Sequence, residues 1–166
     1  MREITKNTVT LLLFNVKCID QLQLWHQNID MKIFITASKV AYPKVEEIKA
    51  ELERAGHSVT PPNGFRDPDQ EETIRQYTPE EYSEWKADMI RKDGLIVANH
   101  DAVLALNFEK NGQEDYIGGA TFLELFKAFD LGKKIYLYNP IPDNMLRDEI
   151  IGFQPVVLYG DLSLIQ

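Results

Sequence analysis

The stretch "MKIFITASKVAYPKVEEIKAELERAGHSVT", residues 31–60, decides the fold class of this chain. It opens with "KIFITA" (Lys32–Ala37), a short apolar, β-rich run that is typical of a buried strand. The next segment has the apolar spacing of an amphipathic helix and ends at a glycine. The apolar face of this helix is formed by Val45, Ile48 and Leu52. A brief second strand, "SVTPP", follows at residues 58–62.

The alternation of strand and helix patterns continues to the last residues. Apolar runs at 102–108, 134–138 and 155–160 predict three more strands. Before the first of these, "TPEEYSEWKADMIRKD" predicts a helix, because Thr78 can cap it, Pro79 suits its first position and acids follow in its first turn. The polar residues 63–77 are predicted to form a long loop. This order predicts an α/β fold, a doubly wound, five-stranded parallel sheet with helices on both faces.

The composition predicts one folded domain with a small-molecule function. The chain has 166 residues, 44% of them hydrophobic and 27% charged, which is ordinary for a soluble globular protein. Its formal net charge of −8 disfavours nucleic acid and anionic membrane surfaces as partners. A single cysteine, Cys18, excludes an internal disulfide, and no Cys/His cluster indicates zinc. These features fit the reducing cytoplasm.

The first thirty residues differ from the alternating pattern that follows. Their apolar run "VTLLLFNV" is too short to span a membrane, and no small-residue cleavage site follows it. We therefore divide the chain into an N-terminal extension, residues 1–30, and a domain, residues 31–166. In the alternative interpretation, residues 8–15 add an edge strand to the sheet.

The predicted sheet brings four polar segments to one edge. In parallel α/β sheets, ligands bind outside the carboxyl ends of the strands. The segments that follow the first four strands are "TASK", the loop at 63–77, "NFEKNGQEDYIGG" (107–119) and "NPIPDN" (139–144). A binding or catalytic site is therefore expected at this edge.

One carboxylate, Glu124, lies in the mostly hydrophobic helix that is predicted to follow the third strand. We expect Phe122, Leu125, Phe126 and Phe129 to form the core stripe of that helix. A second stripe contains Thr121, Glu124 and Ala128, where the small residue beneath the acid leaves room for a ligand. The helix N-terminus would favour the ionised form of Glu124. In a purely structural interpretation, this acid complements the helix dipole or pairs with Lys127.

The segment around Glu124 also resembles a known family. The pattern D-x7-D-A-V-L-A-L-N (Asp93, then 101–107) is followed by a glycine-containing loop, by E-L-x-x-A at Glu124 and by "GKKIYLYNP". This order is similar to the nucleoside 2-deoxyribosyltransferase family, including its relatives that hydrolyse nucleoside 5′-monophosphates. The resemblance implies a flavodoxin-like fold, a homodimer or higher homo-oligomer, a nucleoside or nucleotide as ligand, and no metal or organic cofactor.

The resemblance also implies roles for individual residues. Glu124 matches the family's nucleophile and Asp93 the acid that assists the leaving base, while Asp101 stands at the mouth of the third strand. Ser38 and Lys39 are the obvious anion ligands of the loop after the first strand. The candidate substrate-binding residues are Ser38, Lys39, Asp101, Asn107, Gly118, Gly119 and Thr121.

Two functions from different classes follow. In the first, a glutamate nucleophile cleaves or transfers the N-glycosidic bond of a (deoxy)nucleoside or its monophosphate. In the second, the same fold is a non-catalytic nucleotide-binding or sensing module. The two carboxylates favour the enzyme. The module is favoured by Phe126, which stands where the family has a glycine, and by a first loop that lacks the glycines and arginine of the phosphate-accepting relatives.

Overall fold

The computed structural model describes residues 30–166, and the predicted N-terminal extension, apart from Asp30, lies outside the described residues. Five strands and five α-helices alternate along this part of the chain. The strands are β1 (Lys32–Ala37), β2 (Ser58–Thr60), β3 (Ala102–Leu106), β4 (Lys134–Leu137) and β5 (Val156–Val157). The helices are α1 (Tyr42–Arg54), α2 (Gln70–Ile74), α3 (Pro79–Ala98), α4 (Gly119–Asp130) and α5 (Arg147–Gly152).

All five strands form one parallel sheet in the order β2-β1-β3-β4-β5. The register places Phe34 of β1 opposite Val103 of β3, and Val103 opposite Ile135 of β4. Because every strand points the same way, the carboxyl ends of β1, β3 and β4 share one edge. The predicted doubly wound, flavodoxin-like α/β architecture is therefore confirmed.

Helices cover both faces of the sheet, and each face has its own apolar core. On one face, Ile33 and Ile35 of β1 pack with the apolar side of α1. On the other face, Phe34 packs with residues from α3, α4 and α5, among them Val97 and Leu125. Alternate residues of β1 thus enter opposite cores, as the two-residue period of a strand requires.

The start of α3 follows from local chemistry. The Thr78 hydroxyl accepts a hydrogen bond from the Glu81 backbone N–H at 3.2 Å, and the Glu81 carboxylate accepts one from the Thr78 N–H at 3.0 Å. This reciprocal capping box satisfies two of the donors that a helix start leaves unpaired. The sequence prediction that Thr78 caps this helix is confirmed.

Two predictions about local structure were wrong. The expected loop at 63–77 contains the short helix α2. In α4, the expected core residues Phe126 and Phe129 are about half exposed, at 50% and 48%. The side of α4 that faces the protein interior carries Thr121, Glu124, Leu125 and Ala128 instead. Small and hydroxyl-bearing residues let this helix pack closely on the sheet, and they bring Glu124 inside.

No helix in the described residues 30–166 is long and apolar enough to span a membrane.

Candidate active site

A cavity of about 540 Å³ opens at the carboxyl edge of the sheet. Its walls come from the end of β1 and the turn after it, the start of α1, the 62–75 segment with α2, the middle of α3 and the start of α4. The predicted site residues among its lining are Ser38, Lys39, Asp93, Gly118, Gly119, Thr121 and Glu124. The structure therefore brings both proposed catalytic carboxyl groups to one cavity.

Glu124 occupies the floor of this cavity and is 9% exposed. Its Oε2 accepts a hydrogen bond from the Thr36 hydroxyl at the end of β1. Burial raises the pKa of Glu124 to about 8, the Thr36 hydrogen bond opposes that rise, and the charge of Asp93 adds to it. The expectation that the helix N-terminus keeps Glu124 ionised is thus wrong, because desolvation outweighs the helix dipole.

Asp93 faces the same cavity from α3. It lies within this helix rather than at its end, where the sequence analysis had placed it. Burial raises the pKa of Asp93, while Asn63, Lys92 and Lys86 oppose the rise. Its Oδ1 is buried without a hydrogen-bond partner among the described residues. Asp93 therefore combines a position in the cavity wall with a carboxyl oxygen that the described residues leave unpaired.

The two carboxyl groups influence each other, since the charge of Asp93 raises the pKa of Glu124. Two acids in a poorly solvated site disfavour the doubly ionised state. The ionisation of one group therefore depends on the charge of the other. This arrangement can supply one acid and one anion at the same time.

Two hydroxyl residues of the site were missed by the sequence analysis. Thr36 bonds Glu124, and Tyr42 lines the cavity at the start of α1. Burial and the nearby charges of Glu124, Asp93 and Glu71 raise the pKa of Tyr42 to about 12. The Tyr42 ring packs edge-on against Phe65, with 5.3 Å between ring centroids. The phenol thus stays a neutral hydrogen-bond donor. Nothing in the pattern "TASKVAY" distinguishes either residue from ordinary strand or helix positions.

Three cations of the cavity lining, Lys39, Arg75 and Lys86, are paired with acids from α2, and the sequence analysis also missed these acids. Lys39 pairs with Glu72. Glu71 accepts from Arg75 at 2.9 Å and from Lys86 at 3.1 Å. These pairs are partly exposed, so each contributes little to stability. They nevertheless tie α2 to both the β1 turn and α3, across the cavity.

The start of α4 supplies a backbone wall. A Cβ on Gly118 would lie 2.9 Å from the Tyr116 hydroxyl oxygen, so only glycine fits beside this ring. Lys110 lies over the Tyr116 ring, 4.8 Å from its centroid. Gly119 has no atom within 4 Å of the position a Cβ would take. The glycine pair therefore accommodates Tyr116 on one side and leaves the cavity open on the other.

Two predicted substrate-binding residues lie outside the cavity lining. Asp101 precedes β3 and is therefore at the amino edge of the sheet, where its Oδ2 accepts a hydrogen bond from the Lys32 N–H at 2.8 Å. Asn107 follows β3 at the correct edge, but its side chain bonds the backbone of Asn139 and Pro140. Asp101 thus joins two strands and Asn107 fixes the loop after β4, as structural groups.

An apolar groove of about 940 Å³ lies beside the cavity, between α3 and α4. It is lined by exposed apolar side chains, and it shares Asp93 and Glu124 with the cavity. These apolar residues include Ile90, Leu95, Leu123, Phe126 and Leu131. Phe126 thus lines the groove rather than the cavity.

Among residues 30–166, no group of three or more His, Cys, Asp or Glu side chains could hold a metal ion.

Comparison with known proteins gives similarity at the level of structure. No protein-family model matches the chain, and no curated protein matches its sequence. Among solved structures, a CMP N-glycosidase of Clostridium botulinum, BcmB, is similar to this chain, with a TM-score of 0.42 and 19% sequence identity. The similarity covers 76% of this chain and 84% of that one.

Proposed function

We propose that this protein cleaves or transfers the N-glycosidic bond of a (deoxy)nucleoside or nucleoside monophosphate. One observation carries the proposal: two carboxyl groups, both with raised pKa values, line one cavity at the ligand edge of the sheet. Pairs of titratable groups with perturbed pKa values in a cleft are typical of acid–base and nucleophilic catalysis. The cavity volume of about 540 Å³ suits a ligand of nucleoside size.

In the proposed reaction, the C1′–N bond of the substrate breaks as the sugar gains oxocarbenium character. A Glu124 carboxylate oxygen forms a bond to C1′, and Asp93 gives its proton to the departing base. Water then attacks C1′ and releases the sugar from Glu124, with its proton returning to Asp93. A second base in place of water gives a transferase, and the same two residues serve both outcomes.

The electrostatic coupling of the two groups bears on these roles. With the proton on Asp93, Glu124 is the anion and Asp93 the acid, which is the state that the reaction requires. The raised pKa of Glu124 means that this state is a minor one near neutral pH. When ionised, a carboxylate of high pKa is a stronger base and nucleophile than an ordinary one. Positive charge that develops at C1′ favours its ionised form further.

A non-catalytic nucleotide-binding module is the second candidate. The observation that favours it is the same raised pKa of Glu124, because a protonated carboxyl group can donate a hydrogen bond to a base without attacking the sugar. In this case, Asp93 and Glu124 recognise a ligand together and no bond breaks.

The groove between α3 and α4 supports a homodimer as the assembly. Its apolar side chains are exposed in the single chain, and exposed patches of this kind mark association surfaces. Beside the apolar residues, Asp88 and Arg91 of α3 and Lys127 and Asp130 of α4 place both charge signs on the same helices. A two-fold related copy can therefore meet opposite charges. Leu95→Glu should convert a dimer to a monomer in light scattering, and a variant that keeps the wild-type mass would contradict this contact.

The function is tested by incubating the protein with nucleosides and nucleoside monophosphates, with and without a free acceptor base. Chromatography then measures released and exchanged base, with Glu124→Gln as the matched control. Base exchange indicates a transferase, and release alone indicates a hydrolase. Tight binding of a ligand with neither reaction would overturn the enzyme and support the binding module.

A further inference from the structure

Two threonine hydroxyls stand behind Glu124 on the side away from solvent. Thr36 is the second-last residue of β1 and is 1% exposed, and Thr121 is in the first turn of α4 and is 7% exposed. The Thr36 hydroxyl donates to Glu124 Oε2. The two threonine Oγ1 atoms lie 3.2 Å apart, within hydrogen-bond distance. The three side chains therefore form one buried polar chain that ends at the carboxyl group.

The direction of these hydrogen bonds follows from counting protons. Each threonine hydroxyl has one proton and can accept further bonds on its oxygen. When Glu124 is ionised, the Thr36 proton is directed at the carboxylate, the strongest acceptor within reach. The proton between the two hydroxyls then belongs to Thr121. Thr121 thus polarises Thr36, and Thr36 bonds the carboxylate.

From this geometry we infer that Thr36 and Thr121 are positioning residues, which hold Glu124 with Oε2 bonded inward and Oε1 free for the substrate. The inference rests on the proposed function in one respect, since it takes Glu124 as the reacting group. The bond to Thr36 uses Oε2, and Oε1 has no hydrogen-bond partner among residues 30–166. A carboxylate fixed at one oxygen presents the other in a single orientation, which is how a nucleophile gains from preorganisation.

Packing alone does not explain hydroxyl groups at these positions. Val45, Leu104 and Leu125 show that apolar side chains fill both cores around the sheet. A valine has the shape of threonine, and it avoids the cost of burying a hydroxyl. Among residues 30–166, the hydroxyl of Thr36 hydrogen-bonds only Glu124 and Thr121, and the hydroxyl of Thr121 hydrogen-bonds only Thr36. These hydroxyls therefore serve the carboxyl group rather than the backbone.

The hydrogen bonds from the two threonines also affect the ionisation of Glu124. The Thr36 hydrogen bond lowers the pKa of Glu124 against the rise that burial and Asp93 cause. Asp93 from α3 and Tyr42 from α1 interact electrostatically with Glu124. The other charged residues of the cavity lining are Lys39, Asp67, Glu71, Glu72, Arg75, Lys86, Lys92 and Lys110. Removing the hydroxyl should leave these groups in place and shift only the carboxyl group of Glu124 upward.

The test compares Thr36→Val with Thr36→Ser. In Thr36→Val, the limb of the kcat/KM profile that reports the ionisation of Glu124 should move to higher pH by about one unit, and kcat should fall ~10- to 100-fold with little change in KM. Thr36→Ser keeps the hydroxyl and should restore both values toward wild type. Thr121→Val should give a smaller shift in the same direction. Thr60→Val is the matched control, because it removes a strand hydroxyl that bonds His100 instead of the site, and it should not move the limb.

A second measurement does not need turnover. Infrared titration of the substrate-free protein, with Glu124→Gln as the blank, reports the carboxyl group of Glu124 directly. The titration should move upward in Thr36→Val and return in Thr36→Ser. If the wild type turns over no substrate, the proposed function fails while this titration still decides the role of the threonines. An unshifted titration, or a loss of activity in Thr36→Val without movement of the limb that reports Glu124, would overturn the inference. If Thr36→Val does not fold, Thr121→Val decides by the same readouts.

Discussion

The two edges of the sheet both carry acids and hydroxyl or imidazole groups, but they use them differently. At the amino edge, Asp101 accepts from the Lys32 N–H at 2.8 Å, and the Met31 N–H donates to His57 Nδ1 at 3.4 Å. Each of these side chains completes the backbone of a neighbouring segment. At the carboxyl edge, Asp93 keeps a buried oxygen without a partner, and Glu124 is bonded by Thr36 through one oxygen.

The difference separates structural acids from candidate functional ones. A buried polar atom without a partner costs about 1–3 kcal/mol relative to a satisfied one, so a fold retains it where another requirement demands it. The amino edge leaves no such atom among the described residues, and the carboxyl edge leaves one at Asp93. Asp93 thus keeps an unpaired oxygen in the wall of the candidate site, whereas Asp101 uses its Oδ2 to complete the backbone of β1.

The largest effect is expected from Glu124→Gln. Glutamine fills the same volume and can still accept from Thr36, but it cannot form a stable ester with C1′ or carry the anion. Base release should therefore fall by several orders of magnitude with the fold retained. The rate of base release and the melting temperature should be measured on the same preparation. Full activity in this variant would show that Glu124 does not take part in the reaction. The proposed functional difference between the two edges would then be wrong.

The next effect is expected from Asp93→Asn. Loss of the proton donor should lower nucleoside turnover by about 10²- to 10⁴-fold, while stability holds or rises because a poorly solvated carboxyl group is gone. An aryl 2-deoxyriboside whose phenolate leaves without protonation separates the roles. Asp93→Asn should retain most of its activity on this substrate, and Glu124→Gln should retain none. Equal losses on both substrates would contradict the assignment of Asp93 as the acid.

Much of the fold could be predicted from the sequence, because its signals are local. The β1 run was assigned with the observed ends, and the Thr78 cap marks the start of α3. Strand positions β2 to β5 were found, although each was predicted too long. Strand ends depend on pairing with neighbours, which a single segment does not contain.

The orientation of α4 could not be predicted in the same way. Both of its stripes are compatible with burial, and the larger aromatic side chains favoured the wrong one. Close packing on the sheet selects the small residue Ala128, and only this tertiary constraint places Phe126 and Phe129 at the surface. Glu124 was identified from its motif, but its burial and the shift of its pKa follow from this orientation.

The error at Asp101 is one of direction along a strand. Asp101 directly precedes β3, and the residue before a parallel strand lies at the amino edge, away from the ligand. The sequence contained enough information to exclude it.

Thr36 and Tyr42 were missed because a hydroxyl near a strand end carries no pattern of its own until its partners are placed.

A third effect concerns stability against pH. The pKa of Glu124 rises from 4.5 in the unfolded chain to about 8 in the folded one, so the folded state binds this proton more tightly. Between these values the unfolded state holds fewer protons, and stability falls as pH rises from about 5 to about 8, by an amount on the order of a few kcal/mol. Denaturant unfolding across this range should show a steeper decline in wild type than in Glu124→Gln. Parallel curves would mean that Glu124 is not buried as described.

The smallest effect is expected at the amino edge, from Asp101→Ala. This change removes the acceptor of the Lys32 N–H. The adjacent backbone hydrogen bond, from the Asp101 N–H to the Lys32 oxygen at 2.8 Å, remains without the side-chain bond beside it. Because Asp101 is exposed, water can replace the lost acceptor, so unfolding free energy should fall by only about 1 kcal/mol. Turnover per folded molecule should match wild type. Asp101→Asn is the control: its side-chain oxygen can still accept from Lys32, so it should lose less stability. If Asp101→Ala folds normally but loses turnover, then the amino edge takes part in the reaction, and a satisfied acid is not a reliable sign of a structural role.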